Sequence, residues 1–524
     1  MTRTAPGWLR RPLILSLLAL LFLTMIPAAF AATGIPDPIG TATGTSTDVP
    51  AAITGRVTLS ELATEVGHQR AAMNLMWAIV AASLVMFMQA GFAMVETGLT
   101  RSKNAVHTMA MNLAVYGVGV LAFWAIGFGL QMGGVGPLAT FAGPDLLNHE
   151  VSLSVAGHAF GLFGAKGFFL QGDAVDVGVL ALFVFQMVFM DTAATIPTGA
   201  LAERWRFSAF LLFSFVVAGV IYPIHANWVW GGGWLSTLGK EYSLGHGVVD
   251  FAGSSVVHMT GGVLAFVSCR KIGPRVGRFD ARGRPRPFAA HNVPMAIIGT
   301  IILAFGWFGF NAGSTLAATD LRLTVVAANT MLASAAGMVT AMLYAWRVTG
   351  KPDPTFMANG MLAGLVAITA PCAFVTPTSA VVIGAIAGVL VVAAFLGIER
   401  RLKIDDPVGA CAVHGVCGAF GVLAVGIFAD GKYGDGLNGV AGPVTGLLAG
   451  GGAGQLAAQL IGVGVNLVWV GAAGTLAYRI TGKVVGGHRV PRDVEIEGLD
   501  GDQMGVHAYP AAEAHGDSRA IPQA

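Results

Sequence analysis

The sequence predicts an all-α integral membrane protein with eleven transmembrane helices, a 5+5 inverted repeat plus one C-terminal helix. Three observations predict it. Of 524 residues, 55% are hydrophobic and 11% charged, against about 25% charged in soluble globular proteins. Eleven apolar segments lie at roughly 73–98, 105–131, 177–200, 208–230, 248–269, 292–314, 324–346, 355–374, 378–398, 407–429 and 455–478, most with the ~20 residues a spanning helix needs. Basic residues, finally, crowd into every second loop.

Residues 1–32 are expected to be a cleavable signal peptide: Arg3, Arg10 and Arg11 precede the apolar run Leu13 to Ile26, and Ala29-Phe30-Ala31 offers a small-residue cleavage site. An uncleaved first membrane helix is the alternative. Residues 33–71 are expected to be an extracytoplasmic N-terminal linker, its first part rich in Thr, Pro, Gly and Ala with little to bury. The transmembrane domain is expected over 72–480, and a cytoplasmic C-terminal tail over 481–524.

Orientation follows from the loops. Arg101 and Lys103, Arg204 and Arg206, the run from Arg270 to Arg286, Arg347 and Lys351, and Arg400, Arg401 and Lys403 fall on one side, with the tail's basic residues. The other side carries only Lys166, Lys240, Arg322 and Lys432. Positive charge is retained inside, so the mature N-terminus is expected outside and the C-terminus in the cytoplasm, across a cell inner (plasma) membrane. The 73 glycines, about twice the usual share, let helix backbones approach closely in lipid. The net charge of +2 suggests no nucleic-acid partner. Cys269, Cys372, Cys411 and Cys417 lie in or beside apolar segments, none as a CxxC pair, so neither a metal site nor a disulfide framework is expected; no cofactor is expected either.

A charged group at membrane depth costs roughly 2.5–3.5 kcal/mol on insertion scales, so ionisable residues in spans need a reason. His258 lies in the fifth span and His414 in the tenth, on helices of opposite direction, as an inverted repeat requires. That argument rests on topology; no residue-level repeat is evident. Asp250 lies at the outer mouth of the fifth span and His258 about 12 Å deeper. Trp230 ends the fourth span outside. Phe185 and Phe189 share one face of the third, and Trp307, Phe310 and Ser314 sit near the outer end of the sixth. Aromatic faces attract cations by about 0.5–2 kcal/mol, Ser314 can accept a hydrogen bond, and neutral imidazoles can pass a proton or bond a neutral amine. This suits selection and desolvation of a small cation. Each element also has a plainer reading: Trp230 as an interface anchor, the phenylalanines as packing, Asp250 as a helix cap, the histidines as haem ligands.

Together these residues resemble the ammonium transporter family, Amt/Mep/Rh, and its Amt branch, from about residue 72 to 510. The resemblance rests on Gly-Ala-Leu-Ala-Glu203-Arg204, Trp230-Gly-Gly-Gly, Asp250-Phe-Ala-Gly with Val-Val-His258, Gly-Trp307-Phe-Gly-Phe310-Asn-Ala-Gly-Ser314, and Asp405-Asp-Pro with Val-His414-Gly-Val-Cys-Gly. It implies a homotrimer in the lipid bilayer, each protomer with its own pore for ammonium and ammonia and no enzymatic activity. The recruitment site would be Trp230, Phe189 and Ser314 with Asp250 beside it. The gate would be Phe189 and Phe310, and the paired pore histidines His258 and His414, with Phe185 and Trp307 along the passage. Ammonium would bind outside and lose a proton, and ammonia would pass inward, electrogenically overall. An ammonium sensor and an Rh-like neutral gas channel are the alternatives. The tail also resembles the family, and a PII-type signalling protein is an expected partner there, although Met504-Gly505-Val506 departs from the family's pattern. Asp191 is a second departure. At about 200° from Phe189 it is expected to point away from the pore and pair with a donor between helices.

Overall fold

A computed structural model describes residues 58–509 apart from residue 156. The proposed signal peptide, the linker before 58 and the end of the tail lie outside the described residues. Eleven helical spans run through the described part. They are α1 (Leu59–Leu99), α2 (Ser102–Met132), α3 (Val177–Leu201), α4 (Phe207–Trp230), α5 (Ser254–Met259 continued by Thr260–Ile272), α6 (Val293–Thr315), α7 (Leu323–Thr349), α8 (Pro354–Thr369), α9 (Pro377–Leu402), α10 (Cys411–Phe428) and α11 (Gly454–Val485). Nine are long and apolar enough to cross a membrane by themselves among the described residues; α5 and α8 are shorter. Between α2 and α3 a hairpin of β1 (Glu150–Val155) and β2 (His158–Gly164) lies over one end of the bundle.

The helix α1 begins well before the expected 73, so residues 59–71 belong to it and not to a linker. The cause is local. Thr58 accepts from the Glu61 amide while the Glu61 carboxylate accepts from the Thr58 amide, a reciprocal cap. Polar helix formers then carry the chain into the apolar run, where a hydropathy window cannot see them. At the other end α11 runs to Val485, so the first tail residues are helical too.

The packing follows the inverted repeat. The helix α1 packs on α6 and α5 meets α10, while α3 lies against α1 and α5 as α8 lies against α6 and α10. Glycine makes the axial contacts possible: a Cβ on Gly299 would sit 2.7 Å from the Gly91 carbonyl oxygen. A repeat at residue level accompanies the topology, contrary to expectation. Asp250, Gly253, His258 and Gly262 stand at the same spacing as Asp406, Gly409, His414 and Gly418. A Cβ on Gly262 would collide with Gly415, and one on Gly418 would lie 3.0 Å from the Met259 amide. Gly415 and Met259 each follow their histidine by one residue, so the two contacts are related by the same pseudo-symmetry.

The face opposite the hairpin is closed by charge. Glu203, in a left-handed conformation (φ 71°), accepts from the Arg101 amide and guanidinium and from Arg275 Nη1 at 2.7 Å. Arg275 also binds Asp405 through Nη2 at 2.8 Å and Nε at 2.9 Å. Arg204, wholly buried, donates to the carbonyls of Gly273, Ala202 and Asp405. The tail docks here. Glu495 accepts from the Val276 amide at 2.6 Å and from Arg489 at 2.9 Å, and Asp500 caps the start of α2 through the Val106 and His107 amides. Residues Asp500–Met504 form one wide turn against α2 and α4, with Gln503 accepting from the Phe207 amide.

Burial would raise the Asp405 carboxyl, but the Arg275 and Arg204 charges and the Arg275 hydrogen bonds outweigh it and hold it well below the ordinary 3.8. A depressed carboxyl contributes stability that is full above its unfolded value and fades as the pH falls through its folded one. Asp405→Ala is therefore expected to cost about 3–5 kcal/mol at neutral pH, since it strands a buried guanidinium. The thermal midpoint of detergent-solubilised protein measures this, and the gap from wild type should narrow as the pH falls below 3.8.

Candidate functional site

On the hairpin side the bundle opens into a cavity of about 1070 Å³ whose wall includes Phe185, Gln186, Phe189, Trp230 and Ser314. Phe189 and Phe310 close its floor. Their rings stack with centroids 4.2 Å apart and planes 24° apart, and Phe185 leans on Phe189 at 4.7 Å. Trp230 stands edge-on to Phe189 at 6.1 Å, held by its indole N–H donating to the Asp250 carbonyl at 2.7 Å. Ser314 donates to the Phe310 carbonyl at 2.7 Å, which leaves its oxygen lone pairs as acceptors. Four rings, of Phe185, Phe189, Phe310 and Trp230, and the Ser314 hydroxyl thus gather at this end of the cavity.

Directly beneath, His258 stacks on Phe310 and on Trp307, each at 5.2 Å, and on His414 at 5.3 Å. The histidine Nδ1 atoms are 3.2 Å apart, so one donates and the other accepts. Trp307 is wholly buried behind His258, where its indole donates to Thr369 Oγ1 at 3.0 Å. It backs the histidine and does not line the cavity. His258 Nε2 is buried without a hydrogen-bond partner among the described residues. Past His414 the next ring is Phe92, at 6.1 Å.

The histidines meet because each helix begins in the same way. After Gly253 (φ 115°) the first turn of α5 is wide, and after Gly409 (φ 82°) so is that of α10. Asp250 accepts from the amides of Gly253 and Ser254 with one oxygen, and from the amides of Ser255 and Val256 and the Ser255 hydroxyl with the other. Asp406 accepts from Val408, Gly409 and Cys411. The first amides of a helix have no partner within it, and in an apolar bundle water does not supply one.

Asp250 therefore needs correcting as a substrate ligand. It is fully buried, absent from the cavity wall, and both its oxygens are engaged. Its carbonyl holds the Trp230 indole. Asp191 needs correcting too. Its Oδ1 is buried with no hydrogen-bond partner among the described residues. The donors next along its helix face are engaged elsewhere: Thr195 bonds Asn112, Thr198 bonds Glu96, and Gln89 bonds Thr195 and Asn112. Sequence reasoning missed Asp406, read only as part of Asp405-Asp-Pro. Its signal was there, in its spacing to Gly409 and His414.

A bundle of membrane spans with a cage at one mouth, stacked rings as a floor and paired histidines below is a membrane transport protein. Comparison makes this specific. The profile described as the Ammonium Transporter Family matches residues 76–509. Ammonium transporter Amt2 of Archaeoglobus fulgidus is 47% identical over 440 residues, 83% of this chain and 88% of its own. Ammonium transporter Amt1 of Haloferax mediterranei is 38% identical, covering 83% of this chain and 79% of its own. Among solved structures, a Sensor Amt Protein is 36% identical with a TM-score of 0.70, covering 82% of this chain and 98% of its own. Mep2 of Candida albicans is 27% identical with a TM-score of 0.64, covering 77% and 83%. The chain belongs to the ammonium transporter family.

Leaving buried amides without an acceptor costs about 1–3 kcal/mol, so Asp250→Ala is expected to lower the unfolding free energy by on the order of 2–3 kcal/mol. Asp250→Asn, which keeps one acceptor oxygen, should lose less. Melting midpoints in detergent, with and without ammonium, test this; an unchanged midpoint for Asp250→Ala would return the residue to a direct role in binding.

Proposed function

We propose that the chain moves ammonium into the cell by binding the cation at the cage of Trp230, Phe189 and Ser314, releasing its proton, and passing ammonia between Phe189 and Phe310 and along His258 and His414. The observation that carries this reading is the vertical order. The cavity, the stacked rings and the paired imidazoles follow one another in contact, with no gap in the series. A cation is favoured at the cage, where the Trp230 and Phe189 rings and the Ser314 hydroxyl line one cavity. It is opposed below, where the passage is apolar and offers only imidazoles. Splitting the ion into ammonia and a proton removes that opposition. Two imidazoles in Nδ1 contact can then receive the neutral amine at a free ring nitrogen or relay a proton. We infer net charge movement, because the proton released outside has an imidazole pair within reach of the same passage.

On this reading the cavity faces out, and the charged face with the docked tail lies in the cytoplasm of a plasma membrane, as the basic loops require. A homotrimer, and a PII-type protein docking at the tail face, belong to the same proposal. So do the signal peptide and the absence of enzymatic chemistry. The likeness to a Sensor Amt Protein supports signalling as a second reading, while the more identical curated relatives are named transporters.

Proteoliposome currents after an ammonium jump test the reading. Wild type should give an inward current that saturates. Trp230→Ala should raise the half-saturating concentration about tenfold, the equivalent of about 1.4 kcal/mol of lost cation attraction. The pair His258→Ala with His414→Ala should change current or selectivity; unchanged current, flux and selectivity would remove the histidines from the pathway.

A further inference from the structure

Glu150 opens the first strand of the hairpin and does not line the cavity, yet its side chain turns inward. The carboxylate is packed against the backbones of Gly134 and Gly161, where a Cβ would collide with it, and Gly161 in turn abuts Gly233. Its Oε2 accepts from Asn227 Nδ2 at 3.0 Å. Asn227 is wholly buried on α4, three residues before Trp230. Its carbonyl accepts from the amides of both Gly231 and Gly233, at 2.9 and 3.0 Å, and so fixes the turn that follows Trp230. The same Nδ2 donates to the Gln131 carbonyl at 3.1 Å, and the Gln131 side chain donates to Gln186 Oε1 at 2.8 Å. Gln186 and Trp230 both line the cavity. One carboxyl is thus joined to two parts of the cavity wall by buried hydrogen bonds.

The cluster is short of protons. Glu150 Oε1, Asn227 Oδ1 and Gln131 Oε1 are all buried acceptors without a donor among the described residues. Protonating the carboxyl supplies one donor to this acceptor-rich group. The titratable groups on the surrounding elements are His149 beside it, His158 at the hairpin tip with Glu241 at 3.2 Å, Lys166 with Asp173 at 3.0 Å, and His225 and Tyr222 on α4. Burial pushes the Glu150 carboxyl up, against the lowering effect of the Asn227 bond, to about 7.

We propose that Glu150 is a positioning residue for the ammonium cage, and that loss of its proton tightens the cage by strengthening its bond to Asn227 and adding negative charge beside the cavity. The proposal rests on the transport reading above. A charge-assisted bond is about twice as strong as a neutral one, and negative potential around a cleft concentrates cations. The residue would match recruitment to the pH on its own side of the membrane. Ammonium itself stays almost wholly protonated near neutral pH, so the effect is separable from substrate titration.

The test is the half-saturating ammonium concentration of proteoliposome currents, from one pH unit below 7 to one above. For wild type it should fall on the order of threefold across that range. Glu150→Gln should hold it at the low-pH value throughout, with maximal current retained, and Glu150→Asp should restore a pH dependence. A Glu150→Gln profile that follows wild type overturns the proposal. Should Glu150→Gln fail to fold, wild type alone decides: current with a flat half-saturation overturns the role of Glu150, whereas neither current nor ammonia flux at any pH overturns the transport reading. Stability gives a second readout. A carboxyl raised above its ordinary 4.5 contributes stability that is lost as the pH rises through about 7. Glu150→Gln should therefore melt higher than wild type above pH 7, and that advantage should disappear below pH 4.5.

Discussion

Two helices bearing histidines must begin inside the bundle if their rings are to meet at its centre, and a helix that begins there exposes amides that neither water nor its own turns can satisfy. Asp250 and Asp406 resolve this constraint. Each spreads its two carboxylate oxygens over the opening amides of its helix. The glycine three residues on supplies the left-handed conformation that lets the chain bend back toward the carboxylate. The wide first turn that results carries the histidine, and Gly262 and Gly418 allow the two helices to cross closely enough for the 3.2 Å contact between imidazoles. Remove the caps and the helix starts lose their partners, so the histidine geometry is inherited from the carboxylates.

That dependence explains why so much of the site could be read from the chain, and where reading stopped. His258, His414, Trp230 and Ser314 stand out because polar or indole groups in apolar segments carry a cost that invites explanation. Helical spacing placed Phe185 and Phe189 on one face, while the stack of Phe189 on Phe310 came from the family resemblance. Asp406 was harder, because its job is to hold backbone, and backbone conformation leaves a mark of just four residues in thirteen. The repeat was overlooked for the same reason: between those four positions the two stretches share little beyond small or apolar character. The start of α1 was hidden by polar helix formers outside the apolar window. Asp191 failed differently. Whether a donor would be free to meet it depended on how Gln89, Asn112 and Glu96 had already paired. Glu150 was invisible, since a lone acid in an outer loop gives no hint that its side chain will be folded under glycines.

The pseudo-symmetry of the bundle ends at the caps, and this asymmetry separates the two faces. The Asp250 carbonyl receives the Trp230 indole and the Asn438 amide, so the first cap is joined to the cavity wall. Asp406 adjoins Asp405, whose carboxylate holds Arg275. The next residue along, Val276, donates its amide to Glu495 in the tail, which Arg489 also grips. One histidine is therefore braced from the cavity side and its partner from the charged side. On the cavity side, Trp230 is tied to the cap of α5 through the Asp250 carbonyl. On the charged side, the tail's Glu495 is tied to Val276, whose neighbour Arg275 holds Asp405 beside the cap of α10. The imidazole pair lies between these two sets of contacts, its rings joined by the 3.2 Å contact between their Nδ1 atoms.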